Sequence, residues 1–214
     1  MTKLYLIRHC QTIGNLKDIF QGSTDFDPSE IGYKQLEQLK ERFKDIHLDG
    51  IYSSPLGRAY KTAEAVRGER DMPITVVDGL REMHVGIHES TNFKEYIKTD
   101  PELYDIWHNK QHLFAPVGGE TATEVYERMW AAVKSIIEQN SGKTVAVTSH
   151  GFAIKCLLTR LYHNDITKLS EVVIPSNTAV SLFEFNGADE FEIKYFNDDS
   201  HVSDEYKTTF VIKR

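Results

Sequence analysis

The chain predicts a three-layer α/β sandwich, a mainly parallel sheet flanked by helices. Two short apolar runs, Leu4-Tyr5-Leu6-Ile7 and Val145-Ala146-Val147-Thr148-Ser149, end directly in polar stretches. That is the pattern of strands buried on both faces. Strand-like and helix-like segments alternate along most of the 214 residues, as parallel strands joined by helical crossovers require. No internal repeat, low-complexity tract or Pro/Gly/Ser-rich linker divides the sequence, so a single domain over residues 1–214 is expected.

The elements follow in order. The first strand ends at Arg8-His9, and residues 10–26 are polar and punctuated by Gly, a loop over the sheet edge. Ser29 is placed to cap a helix with Ile31, Leu36, Leu39 and Phe43 on its apolar face, Gly32 being a tolerated weakness. Residues 49–53 read as a short strand. Ser54-Pro55 reads as a helix start, with Pro at the first helical position and the helix running through Val66. Residues 74–77 form another strand.

Residues 78–119 are irregular, with short helical pieces around 93–98 and 102–107, and residues 83–119 are the expected cap over the site. Residues 121–139 form an amphipathic helix on Val125, Met129, Val133 and Ile136 or Ile137. After the strand ending at Ser149, residues 152–162 return as a helix. Residues 179–185 and 191–196, around Asn186-Gly187, read as a closing hairpin.

The formal net charge of −7 argues against nucleic acid or an anionic membrane as a partner. It still allows a small anionic ligand held by a local cluster of Arg and His. No stretch has the apolar length to span a bilayer, and the run before Arg8 is too short for a signal peptide. Two cysteines are too few for a disulfide scaffold, which points to a reducing, cytoplasmic setting.

In an open α/β sheet, ligands bind at the carboxyl ends of the strands. There Arg8 and His9 would meet His150 and Gly151, two imidazoles and a guanidinium at one edge. Other constellations are weaker. His84 and His88 have helical metal spacing, but Gly86 interrupts and no third ligand is near, so no metal is expected. Cys10 is followed six residues later by Leu16, which excludes a Cys-x5-Arg phosphatase loop. Gly-x-x-x-x-Gly-Lys and Gly-x-Gly-x-x-Gly boxes are absent, and no cofactor is expected. Cys156 reads as core, and Trp107, Tyr5, Tyr52 and Tyr60 as packing.

Taken together, these residues resemble the histidine phosphatase superfamily, also called the phosphoglycerate-mutase-like family. Its opening Arg-His-Gly box is similar to Arg8-His9-Cys10, with Thr12 and Asn15 in place, and its Gln-Gly to Gln21-Gly22. The box Ser-Ser-x-x-x-Arg-Ala-x-x-Thr-Ala-Glu is matched by Ser53-Ser54, Arg58-Ala59 and Thr62-Ala63-Glu64. Leu80-Arg81-Glu82 resembles the segment of the family's catalytic acid. Gly118-Gly119-Glu120-Thr121 is similar to the Gly-Gly-Glu-Ser turn, and Ser149-His150-Gly151 to the second histidine box. Cys10, His88 and Ser90 depart from the usual Gly, Trp and Gly.

The resemblance implies phosphoryl transfer through a phosphohistidine on a small phosphorylated substrate. His9 would be the nucleophile, neutral and pinned through its other nitrogen. Arg8 and Arg58 would hold phosphate oxygens bidentately, helped by helix amides after Ser54. His150 would donate to the transferring group, and Asn15 and Gln21 would offer amide hydrogens. Gly22 and Gly151 complete the expected binding set. Glu82 is the candidate general acid, for which a raised pKa would suit. By strand alternation Arg81 should point away from it.

Three functions stay open: a phosphatase, a 2,3-bisphosphoglycerate-dependent mutase, and a non-catalytic phospho-ligand binder. The complete set Arg8, His9, Arg58, Glu82 and His150 counts against the binder. A mutase needs extra basic residues after Glu82, and there Lys94, Lys98 and Lys110 lie among Glu89, Glu95, Asp100, Glu102 and Asp105 with no adjacent pair of arginines. Hydrolysis is therefore the expected reaction. Cys10 has two readings: a small residue buried in place of Gly, or an accessible thiol whose pKa the surrounding cations depress.

Overall fold

Residues that bury apolar side chains on both faces put the first strand at the centre of the sheet. In the computed structural model, which describes residues 1–208, β1 spans Thr2–Arg8, with Leu4 and Leu6 in one apolar cluster and Ile7 in the other. The remaining strands are β2 (Gly50–Ser53), β3 (Ile74–Val76), β4 (Thr144–Ser149), β5 (Val180–Phe185) and β6 (Phe191–Asp198). They form one six-stranded sheet in the order β3-β2-β4-β1-β5-β6. The first four in that order run parallel, and β5-β6 is an antiparallel hairpin at one edge. The mainly parallel α/β sandwich is what the alternating pattern predicts.

The short α1 (Ile13–Leu16) lies within the loop after β1. On one face of the sheet, α2 (Glu30–Phe43) and α3 (Gly57–Arg67) place Leu39, Phe43, Ala63 and Val66 on Ile7, Ile51, Ala146 and Val180. The other face is larger. There α6 (Ala122–Gln139) and α7 (Gly151–His163) cover Leu4, Leu6, Val145 and Val147 with Val125, Met129, Val133 and Ile154. The same cluster continues through α4 (Phe93–Thr99) and α5 (Pro101–Asn109) by way of Tyr96 and Trp107. Burying one such side chain completely contributes about 1.5–3 kcal/mol, so core and overlying helices stabilise one another.

Two sequence expectations are corrected. Ser29 does cap α2, its Oγ accepting from Gly32 N at 3.0 Å. However, the buried face is Gly32, Gln35, Leu39 and Phe43, with Ile31 and Leu36 only half-buried. The cause is a polar contact that hydrophobic periodicity does not register. Gln35 Oε1 accepts from Gln11 N at 2.8 Å, and a Cβ on Gly32 would stand 2.0 Å from Gln11 O. Gly32 is therefore a point of close backbone approach rather than a tolerated weakness.

The second correction concerns α3, which begins at Gly57 with Leu56 as its N-cap, two residues later than a start at Pro55. Ser54 is held back by a tertiary bond described below. The first α3 amides, Gly57 N and Arg58 N, donate to the Asp25 carboxylate, so they do not form the free anion site that a helix start at Ser54-Pro55 implies.

Candidate active site

Register brings the site together. Arg8 pairs with Ser149 across β1 and β4, and Ser53 pairs with Thr148 across β2 and β4. His9, Ser54 and His150 thus emerge side by side one residue beyond the carboxyl edge. The His9 and His150 ring centroids are 5.2 Å apart. Arg8, His9, Arg58 and His150 are all at least 96% buried, with exposures of 4, 3, 1 and 0%. Glu82 approaches from the 3-10 turn after β3 (Asp78–Leu80) and lies close enough to act electrostatically on both arginines.

His9 Nδ1 lies 2.6 Å from Cys10 O. A carbonyl only accepts, so Nδ1 carries the proton and Nε2 keeps its lone pair. The backbone under the ring is tied down from the far side of the chain: Asn177 Nδ2 donates to His9 O at 2.9 Å, and Thr178 N to Arg8 O at 3.1 Å. Burial first, then the Arg58 and Arg8 charges, holds the His9 pKa well below 6.5. The ring is therefore neutral at neutral pH.

His150 Nε2 lies 2.7 Å from Ser54 Oγ. That hydroxyl accepts from Leu56 N at 3.2 Å, and among the described residues its own proton has one acceptor, the His150 nitrogen. The network therefore assigns His150 an Nδ1–H. Nδ1 is buried without a protein partner among the described residues, a donor suited to an oxyanion. Burial, then Arg58 and His9, keeps this ring neutral too.

Arg8 Nη1 donates to Pro175 O at 2.6 Å. Burial is the main cause lowering its pKa, to about 10, still protonated at neutral pH. Its guanidinium lies against Gly151, where a Cβ would stand 3.3 Å from Arg8 Nε. Arg58 departs from the expected phosphate fork. Its Nη2 donates to Gly22 O at 2.6 Å and its Nη1 to Thr24 O at 2.8 Å, with Asp25 Oδ1 at 3.3 Å. Arg58 Nε is buried with no protein partner among the described residues. The residue thus organises the loop while keeping one N–H for an anion.

Gly22 supplies a carbonyl to Arg58 rather than an amide to the site. Thr12 Oγ1 donates to Gln21 Oε1 at 2.7 Å, and Thr12 N donates to Asn15 Oδ1 at 3.0 Å. The two side-chain carbonyls are thereby occupied, which leaves both amide groups as donors. Asn15 also completes the capping box of α1 with Thr12.

The Glu82 carboxylate sits on the first turn of α7. Oε2 accepts from Phe152 N at 3.1 Å, and Oε1 from Ala153 N and Met83 N, each at 3.0 Å. Three backbone amides thus hold the group. Arg81 points away, as alternation predicts, onto Asp78 and Glu120.

Cys10 resolves to its first reading. It is fully buried, bonded through its backbone N to Thr62 Oγ1 at 3.1 Å. Burial outweighs the Lys61 and Arg58 charges and pushes the thiol up to about 12. The accessible, depressed thiol is overturned, because the backbone turns the side chain into the core. His84 and His88 do not converge: His84 Nδ1 accepts from Gly86 N at 3.2 Å, while the His88 ring packs edge-on to Tyr96 at 4.2 Å.

Three supporting residues escape sequence reasoning. Asp25 closes the Arg58 loop. Glu89 accepts from Ser23 N, Thr24 N, Thr24 Oγ1 and Val85 N at 2.7–3.0 Å, fixing the segment that faces Arg58. Asn177 carries His9 from a stretch whose residues show no periodicity. Each works through backbone groups, which leave no pattern in the sequence.

Comparison with known proteins bears on the chain as a whole. A family described as the histidine phosphatase superfamily (branch 1) matches residues 4–199. The chain is 31% identical over 203 residues to the uncharacterized phosphatase PhoE of Bacillus subtilis (strain 168), covering 95% of this chain and 98% of that protein. The solved structure of Bacillus stearothermophilus YhfR superposes with a TM-score of 0.90 at 34% identity, over 95% of this chain and 100% of that one. A mutant phosphoserine phosphatase from Entamoeba histolytica, solved in complex with phosphoserine, superposes with a TM-score of 0.83 at 28% identity, over 95% and 100%.

Proposed function

The chain belongs to the histidine phosphatase superfamily, and from that premise we propose that it hydrolyses phosphomonoesters of small metabolites through a phosphohistidine on His9. The observation that carries this reading is the 2.6 Å contact between His9 Nδ1 and Cys10 O. It forces the lone pair onto Nε2 of a neutral ring that sits among Arg8, Arg58 and His150.

In the first half-reaction, His9 Nε2 attacks phosphorus and the P–O ester bond breaks. The leaving alkoxide takes a proton from Glu82. Arg8, Arg58 Nε–H and His150 Nδ1–H neutralise the phosphoryl oxygens, the kind of preorganised donor set whose single members are worth roughly 100- to 1000-fold in rate. In the second half, Glu82 takes a proton from water, the oxygen attacks phosphorus, and the P–N bond breaks to restore His9 and release phosphate. The amides of Met83, Phe152 and Ala153 suit the ionised form that this second step needs.

Residues 83–119 are read as a cap. Support comes from Trp107, which packs 5.2 Å from Phe20 beside the Gln21-Gly22 loop and 5.0 Å from Phe152 beside Glu82. No paired arginines stand there to retain a bisphosphate, which favours loss of the phosphoryl group to water over its return to the substrate. Phospho-amino acids such as phosphoserine are the proposed substrate class, on the strength of the Entamoeba relative's complex. No helix among the described residues is long and apolar enough to cross a membrane, and both cysteines are free, which supports a cytoplasmic site of action.

The test is covalent trapping. Brief incubation with radiolabelled substrate should leave an acid-labile, base-stable label on the wild type. His9→Ala should neither turn over nor label while keeping its fold. Turnover at a comparable rate in His9→Ala would falsify the mechanism.

A further inference from the structure

Glu82 follows the 3-10 turn Asp78–Leu80, and four successive carbonyls, those of residues 79–82, are each held by a side chain. Arg128, on α6, donates from Nη1 to Gly79 O at 3.0 Å and to Arg81 O at 2.8 Å, and from Nη2 to Glu82 O at 3.1 Å. Ser149 Oγ donates to the remaining one, Leu80 O, at 2.7 Å. The other Arg128 donors go to a single carboxylate: Nε to Glu120 Oε1 at 2.7 Å and Nη2 to Glu120 Oε2 at 2.9 Å. Every N–H of the guanidinium is thereby used. Glu120 grips the downstream side, Oε2 accepting from His84 N at 2.9 Å and its own N donating to His84 O at 2.8 Å.

We propose that Arg128 and Glu120 form a clasp that positions the Glu82 carboxylate as the leaving-group acid. Both are positioning residues: the Arg128 donors are taken up by this segment and by Glu120. This rests on the reading of Glu82 as the acid, and it gives a task to Glu120, whose Gly-Gly-Glu-Thr turn the mechanism leaves unused. The physical argument is that Glu82 is held by its side chain from α7 and by its main chain from α6. A carboxylate gripped at one end only would pivot about the backbone, and a displacement of about 1 Å at a reacting group can cost roughly 100-fold. Lysine cannot replace the clasp, because one ammonium cannot reach three carbonyls and both carboxylate oxygens in a planar fork.

A positioning role and a merely structural one differ in leaving-group dependence. The readout is kcat/KM, which reports phosphoryl transfer to His9, for glycerol 2-phosphate, whose alkoxide needs a proton, and for p-nitrophenyl phosphate, whose phenolate does not. Glu82→Gln is measured first and should lose roughly 100- to 10,000-fold on the alkyl ester and far less on the aryl one. Arg128→Lys should reproduce that selectivity, losing roughly 100-fold on the alkyl ester. Vanadate inhibition should stay unchanged. Glu120→Gln, which keeps shape, should shift the same ratio in the same direction and carries the test if Arg128→Lys does not fold. Placed on Glu82→Gln, Arg128→Lys should add almost nothing on the alkyl ester.

Equal losses on both esters for Arg128→Lys and Glu120→Gln, with Glu82→Gln still selective, would overturn the clasp alone. So would full additivity of Arg128→Lys with Glu82→Gln. Equal losses on both esters for Glu82→Gln itself would remove Glu82 as the acid, and the clasp with it.

Discussion

Ser54 Oγ stands 2.7 Å from His150 Nε2 while accepting from Leu56 N at 3.2 Å, so one hydroxyl sets the tautomer of a buried imidazole. The same residue stands outside α3: its N donates to Thr148 O of β4 at 3.1 Å, and its Oγ serves both His150 and Leu56 N ahead of the first α3 residue, Gly57. Sequence periodicity finds helices by their apolar faces, and a residue drawn away by a tertiary bond shifts a boundary without changing that face.

Ser54→Ala should leave His150 free to place its proton on either nitrogen, with the wrong tautomer offering a lone pair to the phosphoryl group. We expect kcat/KM for p-nitrophenyl phosphate to fall roughly 10- to 100-fold, below the loss typical of removing an oxyanion donor outright. Thermal stability should change little, because the histidine stays buried. Wild-type activity in Ser54→Ala would show that the tautomer is set by another group.

Lys155 is 3% exposed on α7, and its ammonium is bonded to Gln111 Oε1. Burial lowers its pKa to about 8 from 10.5, with Cys156 opposing weakly. Between those values the unfolded chain holds a proton that the folded one does not, so stability rises with pH across the window. The gain from this group should be about 3 kcal/mol in total. Lys155→Met should flatten that rise in urea titrations from pH 7.5 to 10.5. A mutant whose stability climbs as steeply as the wild type would show that Lys155 is solvated.

Ser90 adopts φ +63°, the left-handed region, where an L residue costs about 1–2 kcal/mol. Ser90→Gly removes that strain and restores chain entropy to the unfolded state, which offsets about 0.5–1 kcal/mol. A net gain of about 0.5 kcal/mol is expected, a rise of roughly 1–2 °C in Tm. Ser90→Val should lower Tm instead. The same direction for both substitutions would exclude backbone strain as the cause.

Cys10 and Cys156 are both buried, and burial raises both thiols. The native enzyme should therefore resist iodoacetamide at pH 8, with alkylation appearing only on unfolding. Cys10→Gly should respond no differently. Rapid, phosphate-protected inactivation of the wild type alone would reinstate the reactive thiol.

The fold was legible because β1 and β4 are apolar on both faces and α6 repeats its apolar residues at helical spacing. The catalytic candidates were legible because Arg8, His9 and His150 follow those strands directly, and because the boxes around Arg58, Glu82 and Glu120 resemble a family. What the sequence hid is the polar scaffolding. Gly32 reads as a defect in α2 until Gln11 O is seen against it. Arg58 reads as a phosphate fork until Gly22 O and Thr24 O are seen to occupy its two ends. Asn177, Glu89 and Arg128 act on carbonyls and amides contributed by other segments, contacts that no local pattern encodes.

The central place of β1 has a consequence for the order of folding. Its neighbours are β4 and β5, so Leu6 pairs with Val147 on one side and Ser181 on the other. During synthesis this strand must wait until those distant segments emerge, a topology of non-local contacts that folds slowly. The acceptor of Arg8, Pro175 O, and the amide of Asn177 beneath His9 arrive later still than β4. A nascent chain can thus assemble α2 and α3 well before it holds His9 in place, and catalysis should be among the last properties it acquires.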